Sequence, residues 1–295
     1  MLGRGIGNVM WRGTCFPRHC HPVPDAHVAG DDCVWALPTP DPRQVGVVMC
    51  AYTEFLRPGE RLDDLQTGGL KLIQRPDAFR FGTDSVLLAD FAAPRKGDAA
   101  VDLGCGTGAI ALLMAGHQSA LVVDAVEIQP EIADMAARSV ALNALAERVR
   151  VHNLDMRQAW RTLGAGRFSL AVCNPPYGRS GAALESQNEA KRIARHEGDL
   201  TPDAIAKSAA MLLKNGGRFC VIYPAPRAYE MMRAMDEAGI APKRLRTVHG
   251  VAGRTPKFVL LEGVKQGGEG LHWLPPLVLR NEDGSFTGEW HRIYD

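Results

Sequence analysis

A short apolar run, residues 99–103, breaks into Gly104-Cys105-Gly106-Thr107-Gly108 and passes at once into a helical run, residues 108–116. Few folds accept that order. Glycines at a strand end permit positive φ and a close approach of backbone to ligand, and the helix start offers free N–H groups. A second apolar run, residues 121–127, ends in Glu127, 23 positions after Gly104. A carboxylate there can accept both hydroxyl hydrogens of a ribose. The dinucleotide fingerprint asks for a third glycine at position 109, where Ala109 stands; alanine is an accepted variant, so the glycines alone leave the ligand open. Asp102 is more telling. A carboxylate two residues ahead of the loop repels a pyrophosphate and suits a ligand carrying an ammonium group.

The rest of the chain continues the alternation. Pro130 opens a helix in which Ile132, Met135, Ala136, Ser139 and Val140 repeat at helical spacing. Residues 148–152, 168–173 and 218–223 read as strands three to five. Thr201 caps a helix with Pro202 in its first turn, and Gly216-Gly217 is expected to end it. Residues 245–249 and 257–262 read as a closing antiparallel pair. Upstream, residues 65–75 suggest a hairpin around Gly68-Gly69, and Thr83 is expected to cap a helix over residues 84–91. The expectation is an α/β, Rossmann-like, doubly wound fold: a seven-stranded, mostly parallel sheet with an antiparallel closing strand. Ligands of such sheets sit at the carboxyl ends of the strands, beside strand one.

Composition matters mainly at the two ends. The first fifty residues are rich in Pro, Gly, His and Cys, without an apolar period, and read as a disordered extension. An alternative reading is a misassigned upstream start, with Met49 as the true one. Cys15, His19, Cys20, His21, His27 and Cys33 match no zinc spacing, so no metal is expected. Residues 54–262 form the expected domain, and residues 263–295 a weakly structured tail. Seven cysteines with no Cys-x-x-Cys pair fit reduced thiols, and no apolar run is long enough to span a membrane. A cytoplasmic monomer is expected.

Asn174-Pro175-Pro176-Tyr177 follows the fourth strand directly. Two prolines fix two φ angles, remove two donors and push the residues before them to extended geometry. The result is a stiff segment in which the Asn174 side chain and the Pro175 carbonyl offer two acceptors, which matches the two hydrogens of one NH₂ group. Tyr177 offers a flat face for stacking. An amide or aromatic NH₂ is a poor nucleophile because its lone pair is delocalised. Holding both hydrogens favours pyramidalisation and aims the lone pair. If the donor is the sulfonium of S-adenosylmethionine, whose methionyl ammonium suits Asp102, the leaving group is a neutral thioether and catalysis rests on positioning.

The segments GTDSVLLADF (from Gly82), VDLGCGTGAIAL (from Val101), AVEIQPEI (from Ala125) and CNPPYGR (from Cys173) resemble class I S-adenosylmethionine-dependent methyltransferases. The stretches LRPGERLDDLQTGGLKLIQRPDAFRFGTDSVLLADF and ARHEGDLTPDAIAKSAAMLLKNGGRF are similar to the bacterial tRNA adenine-N6 methyltransferases that modify adenine 37 of a valine tRNA. The resemblance implies that Asp102, Gly104, Gly106 and Gly108 cradle the methionyl and ribose portions of S-adenosylmethionine, and that Glu127 holds the ribose. It implies Asp155 on the cofactor's adenine, although an N-cap for a helix near Met156 explains that residue equally. Phe81 and Thr83 would close the pocket; Asn174, Pro175, Pro176 and Tyr177 would receive the target base. The tetrapeptide is shared with protein-glutamine and rRNA guanine-N2 methyltransferases, which stay open as alternatives, as does a silent RNA-binding protein.

Charge adds a bias. Residues 57–178 hold 13 Lys/Arg against 14 Asp/Glu, and residues 179–262 hold 14 against 9. Arg179, Lys191, Arg192, Arg195, Lys243, Arg244, Arg246, Arg254 and Lys257 form either a face for RNA phosphates or a scatter of solvated charges.

Overall fold

The computed structural model describes residues 52–75, 82–176 and 200–294. The chain divides into Met1–Glu54 and Phe55–Asp295, and the second unit carries the elements that follow. The Cys- and His-rich start, Met49, Phe81, Tyr177 and the basic residues 179–195 lie outside the described residues.

Strands β1 (Arg61–Asp64) and β2 (Lys71–Gln74) pair antiparallel, with Arg61 opposite Gln74 and Asp64 opposite Lys71. The hairpin around Gly68-Gly69 is therefore present, but its first strand lies upstream of Leu65. Helix α1 (Thr83–Ala92) follows, then β3 (Ala99–Leu103), α2 (Ala109–His117), β4 (Val122–Glu127), α3 (Pro130–Leu142), β5 (Val149–Asn153), α4 (Ala159–Leu163) and β6 (Phe168–Cys173). Beyond residue 200 come α5 (Pro202–Leu212), β7 (Leu213–Pro224), α6 (Ala228–Glu237), β8 (Ile240–Val251) and β9 (Phe258–Lys265). The last elements are β10 (His272–Trp273), β11 (Leu277–Arg280) and α7 (Gly288–Tyr294). No helix of the described residues is long and apolar enough to cross a membrane.

The main sheet runs β10-β8-β9-β7-β6-β3-β4-β5, with β11 also on β8. Every pairing is parallel except those of β9, which runs against both β7 and β8. The seven expected strands are β3 to β9. The stretch 263–295, expected to be weakly structured, instead adds β10 and β11 as a broken edge along β8. Pro275-Pro276 break it, because proline lacks the N–H a strand needs. Helix α7 then packs its aromatic side inward: Trp290 stacks on Tyr294 at 4.0 Å between ring centroids, and on Phe286, just before the helix, at 4.7 Å.

Successive β3 side chains face opposite ways. Val101 and Leu103 enter a core built with Phe168, Ile205, Leu212, Phe219 and Met231 from β6, α5, β7 and α6. Ala100 and Asp102 face the other side. Arg218 on β7 ties several elements together. Its guanidinium donates to the Ala92 carbonyl at 2.8 Å and pairs with Glu262 and Asp98, each at 3.2 Å. Helix α1 therefore ends where an arginine takes its last carbonyls, with Ala93 left-handed at φ 39°.

Two helix boundaries differ from expectation. Gly82, not Thr83, is the N-cap of α1, and no side chain caps it. Helix α5, capped by the Thr201 hydroxyl on the Ala204 amide as expected, ends at Leu212 rather than at the glycine pair. Gly216-Gly217 fall inside β7, in a bulge where the register against β6 slips between Phe168 and Leu170. Gly216 takes φ 74°, and a Cβ on Gly217 would come within 2.8 Å of the Lys214 carbonyl oxygen and 3.1 Å of that of Phe168. Gly217→Ala is expected to cost about 2 kcal/mol, a fall in Tm of roughly 4–8 °C in a thermal melt. Gly268→Ala, with nothing near the added methyl, is the control and should leave Tm unchanged.

Candidate active site

Strand order reverses at β3: β4 and β5 lie to one side and β6 to the other. The carboxyl ends of β3 and β6 therefore lie side by side, with Asp102 opposite Val172. The Cys173 thiol, last on β6, donates to the Leu103 carbonyl at 3.1 Å. The glycine loop leaves from one end and Asn174-Pro175-Pro176 from the other. Two motifs 70 residues apart are thus neighbours at the switch point, where open α/β sheets bind ligands.

In the loop, Gly104, Gly106 and Gly108 all have positive φ, at 73°, 55° and 91°. A methyl on Gly106 would meet nothing within 4 Å, so that residue is needed for its backbone angle. Glu127, 6 % exposed at the end of β4, accepts from the Gly106 amide at 3.1 Å and from the Gln129 amide at 2.8 Å. These bonds fix the carboxylate beside the loop. Asn153 braces the turn after it, donating to the carbonyls of Glu127 and Ile128 at 2.9 Å.

Asp102 is fully buried, and neither of its carboxylate oxygens has a hydrogen-bond partner of regular geometry. Burial, with the Glu127 charge adding, pushes its pKa up to about 7, although the Ala111 amide pulls the other way. A buried acceptor left over at a glycine cradle fits a cationic group of a ligand. The residues present therefore fit S-adenosylmethionine, with an acid for its ammonium and an acid for its ribose. Asp155 stands just beyond β5, and its carboxylate is engaged by Arg157. The guanidinium lies at 2.7–3.0 Å and the amide at 2.9 Å, and together they hold the pKa below the ordinary value. It does not cap α4, whose N-cap is Gln158.

On the acceptor side, the Asn174 amide nitrogen donates to Asp84 at 3.0 Å and lies 3.5 Å from the Ser85 hydroxyl. Both partners belong to the first turn of α1, and neither was legible as a site residue, since 90 positions separate Asp84 from Asn174. Thr83, one residue earlier, bonds the hydroxyl of Tyr294, whose pKa burial raises. Pro175 and Pro176 form one wall of a cleft of about 240 Å³, with Thr201, Pro202, Tyr223 and Arg227 opposite. The Arg227 guanidinium lies 5.4 Å over the Tyr223 ring.

The arginines of the basic stretch are occupied differently from expectation. Arg244 pairs with the buried Glu262 at 3.1 Å and lies 4.7 Å over the Phe91 ring. Arg246 donates to the Pro275 carbonyl at 2.9 Å and to Glu289 at 2.6 Å. Lys243 donates to the carbonyls of Gly268 and Glu269. Lys243 and Arg246 brace the tail against β8, while Arg244 ties β8 to β9 and α1. Arg254 and Lys257 are exposed.

The fold with its glycine loop at the switch point is that of a class I S-adenosylmethionine-dependent methyltransferase, and this chain is one. Residues 77–239 match the family model described as the methyltransferase small domain. The chain belongs to that family. A tRNA1(Val) (adenine(37)-N6)-methyltransferase from Yersinia pestis (strain Pestoides F) is 32% identical over 217 residues, covering 73% of this chain and 86% of that one. Its counterpart from Yersinia pseudotuberculosis serotype O:1b (strain IP 31758) matches to the same extent. Among solved structures, a predicted O-methyltransferase from Agrobacterium tumefaciens superposes with a TM-score of 0.60 at 20% identity, covering 72% of this chain and 95% of that one. The likeness is one of fold.

Proposed function

We propose that the protein methylates the exocyclic N6 of an adenine in tRNA, at a position equivalent to adenine 37. The observation that carries this reading is the 32% identity to enzymes so named, across 73% of this chain. S-adenosylmethionine supplies an electrophilic methyl when bound. Asp102 receives its ammonium, the amides of the Gly104–Gly108 loop its methionyl backbone, and Glu127 its ribose hydroxyls. Asp155, held by Arg157, would accept from the adenine amine. Thr83 would border the pocket, and the same role is proposed for Phe81. Asn174 Oδ1 and the Pro175 carbonyl accept the two hydrogens of the target NH₂, and Tyr177 stacks on the base.

The cleft beside Pro175 and Pro176 supports a splayed-out nucleotide. It measures about 240 Å³ and is lined by Tyr223 and Arg227 as well as the two prolines. Arg254 and Lys257 are the described cations proposed to meet RNA phosphates. Labelled methyl transfer to separated tRNA, rRNA and protein fractions, followed by nucleoside mass analysis, tests the reading. The expected product is N6-methyladenosine in tRNA; N2-methylguanosine, or label in protein, would overturn it.

A further inference from the structure

We infer that Asp84 is a positioning residue for Asn174, fixing which end of that side-chain amide meets the substrate. The inference rests on Asn174 receiving the target NH₂. A carboxylate only accepts hydrogen bonds, so the atom of Asn174 that faces Asp84 at 3.0 Å has to be the nitrogen. The carbonyl oxygen is then the end turned away, and an NH₂ nucleophile needs an acceptor there. The flip would set the amide oxygen against the Asp84 carboxylate. It would also present a donor to a donor.

Asp84 is itself held. Its other oxygen, Oδ1, accepts from the Ser85 amide at 3.0 Å, leaving Oδ2 for Asn174. The folded-back carboxylate lies against Gly82: a methyl there would come within 2.8 Å of Asp84 Oδ1 and would displace it. The Ser85 hydroxyl, 3.5 Å from the same Asn174 nitrogen, can donate or accept and so leaves the choice to Asp84. A formal negative charge behind the amide also draws density toward its oxygen and strengthens the bond that oxygen accepts.

Exchanging the pair tests the inference. Asp84→Asn places an NH₂ against an NH₂ and is expected to lower kcat about 100-fold, with cofactor affinity by calorimetry and KM for tRNA within about threefold of wild type. Asn174→Asp places two carboxylates 3.0 Å apart and should be as slow. The double variant Asp84→Asn/Asn174→Asp restores one donor facing one acceptor and again turns an oxygen to the substrate. It is expected to return to within about tenfold of wild type. Asp84→Ala/Asn174→Asp, which has no donor at 84, should stay slow. A purely structural role for Asp84 predicts that the exchanged pair is at least as slow as the worse single variant, and that result would overturn the inference. So would an Asp84→Asn enzyme with the wild-type kcat. If Asn174→Ala were also fully active, the function of Asn174 itself would fall; if it were inactive, only the role of Asp84 would.

Discussion

Asn174→Ala is expected to slow methyl transfer at least 10²–10³-fold while cofactor affinity, measured by calorimetry, stays within about twofold. An interaction made to the reacting group is worth that much when removed, and here two effects combine. The oxygen that accepts an N–H of the nucleophile disappears, so the lone pair loses its aim. Asp84 also loses the donor that neutralises its Oδ2. Neither change touches the glycine loop, which hangs from β3 and is held by Glu127. Equal losses in rate and in cofactor affinity would instead mean that Asn174 shapes the whole switch point.

Asp102→Asn should act in opposite directions on stability and on ligand binding. With its folded pKa raised to about 7 against an ordinary 3.8, the native state holds a proton that the unfolded chain releases. A group shifted upward in this way destabilises the fold as pH rises, from about 4 until the loss is complete above 7. The full shift corresponds to roughly 4 kcal/mol at most. Asparagine keeps the shape and never ionises, although its buried amide also lacks partners. Denaturant unfolding at pH 8 without ligand is therefore expected to show a gain of about 2 kcal/mol and a flatter pH dependence. The affinity for S-adenosylmethionine should fall on the order of 100-fold, because the charge that attracts the ammonium is gone. In the wild type, ammonium binding favours the carboxylate, so affinity should rise between pH 6 and 8. An affinity unmoved by the substitution would remove Asp102 from the cofactor site.

The part of this architecture that could be read from the sequence is the part governed by local rules. The strand, glycine loop and helix at residues 99–117, and the acid at Glu127, follow from apolar runs and glycine chemistry, and the structure places them as expected. Local rules failed where a distant group decided the outcome. Gly216-Gly217 carry a helix-stop signal, yet Leu213 already pairs with Phe168 on β6 and the glycines fall in the bulge before Arg218. The tail, rich in Pro and Gly, gains order from distant partners: β8, the aromatic stack at α7, and α1. Arg244 and Arg246 read as candidates for phosphate because their partners, Glu262 and Glu289, lie 18 and 43 positions downstream. Asp84 looked like an ordinary first-turn acid, since nothing near it in the chain points to Asn174.

The broken edge formed by β10 and β11 has a consequence for how copies of this protein meet. Strand β8 runs twelve residues, Ile240–Val251, and would otherwise present a long row of unpaired backbone donors and acceptors. Such rows invite a second chain to add on, which is a common route to aggregation. Here the row is covered twice, by His272-Trp273 and then by Leu277–Arg280, while Arg246 pins the intervening proline. Neither cover is long enough to become a good template in turn. The tail thus works as a selvedge, finishing the fabric of the sheet so that it does not knit onto its neighbour.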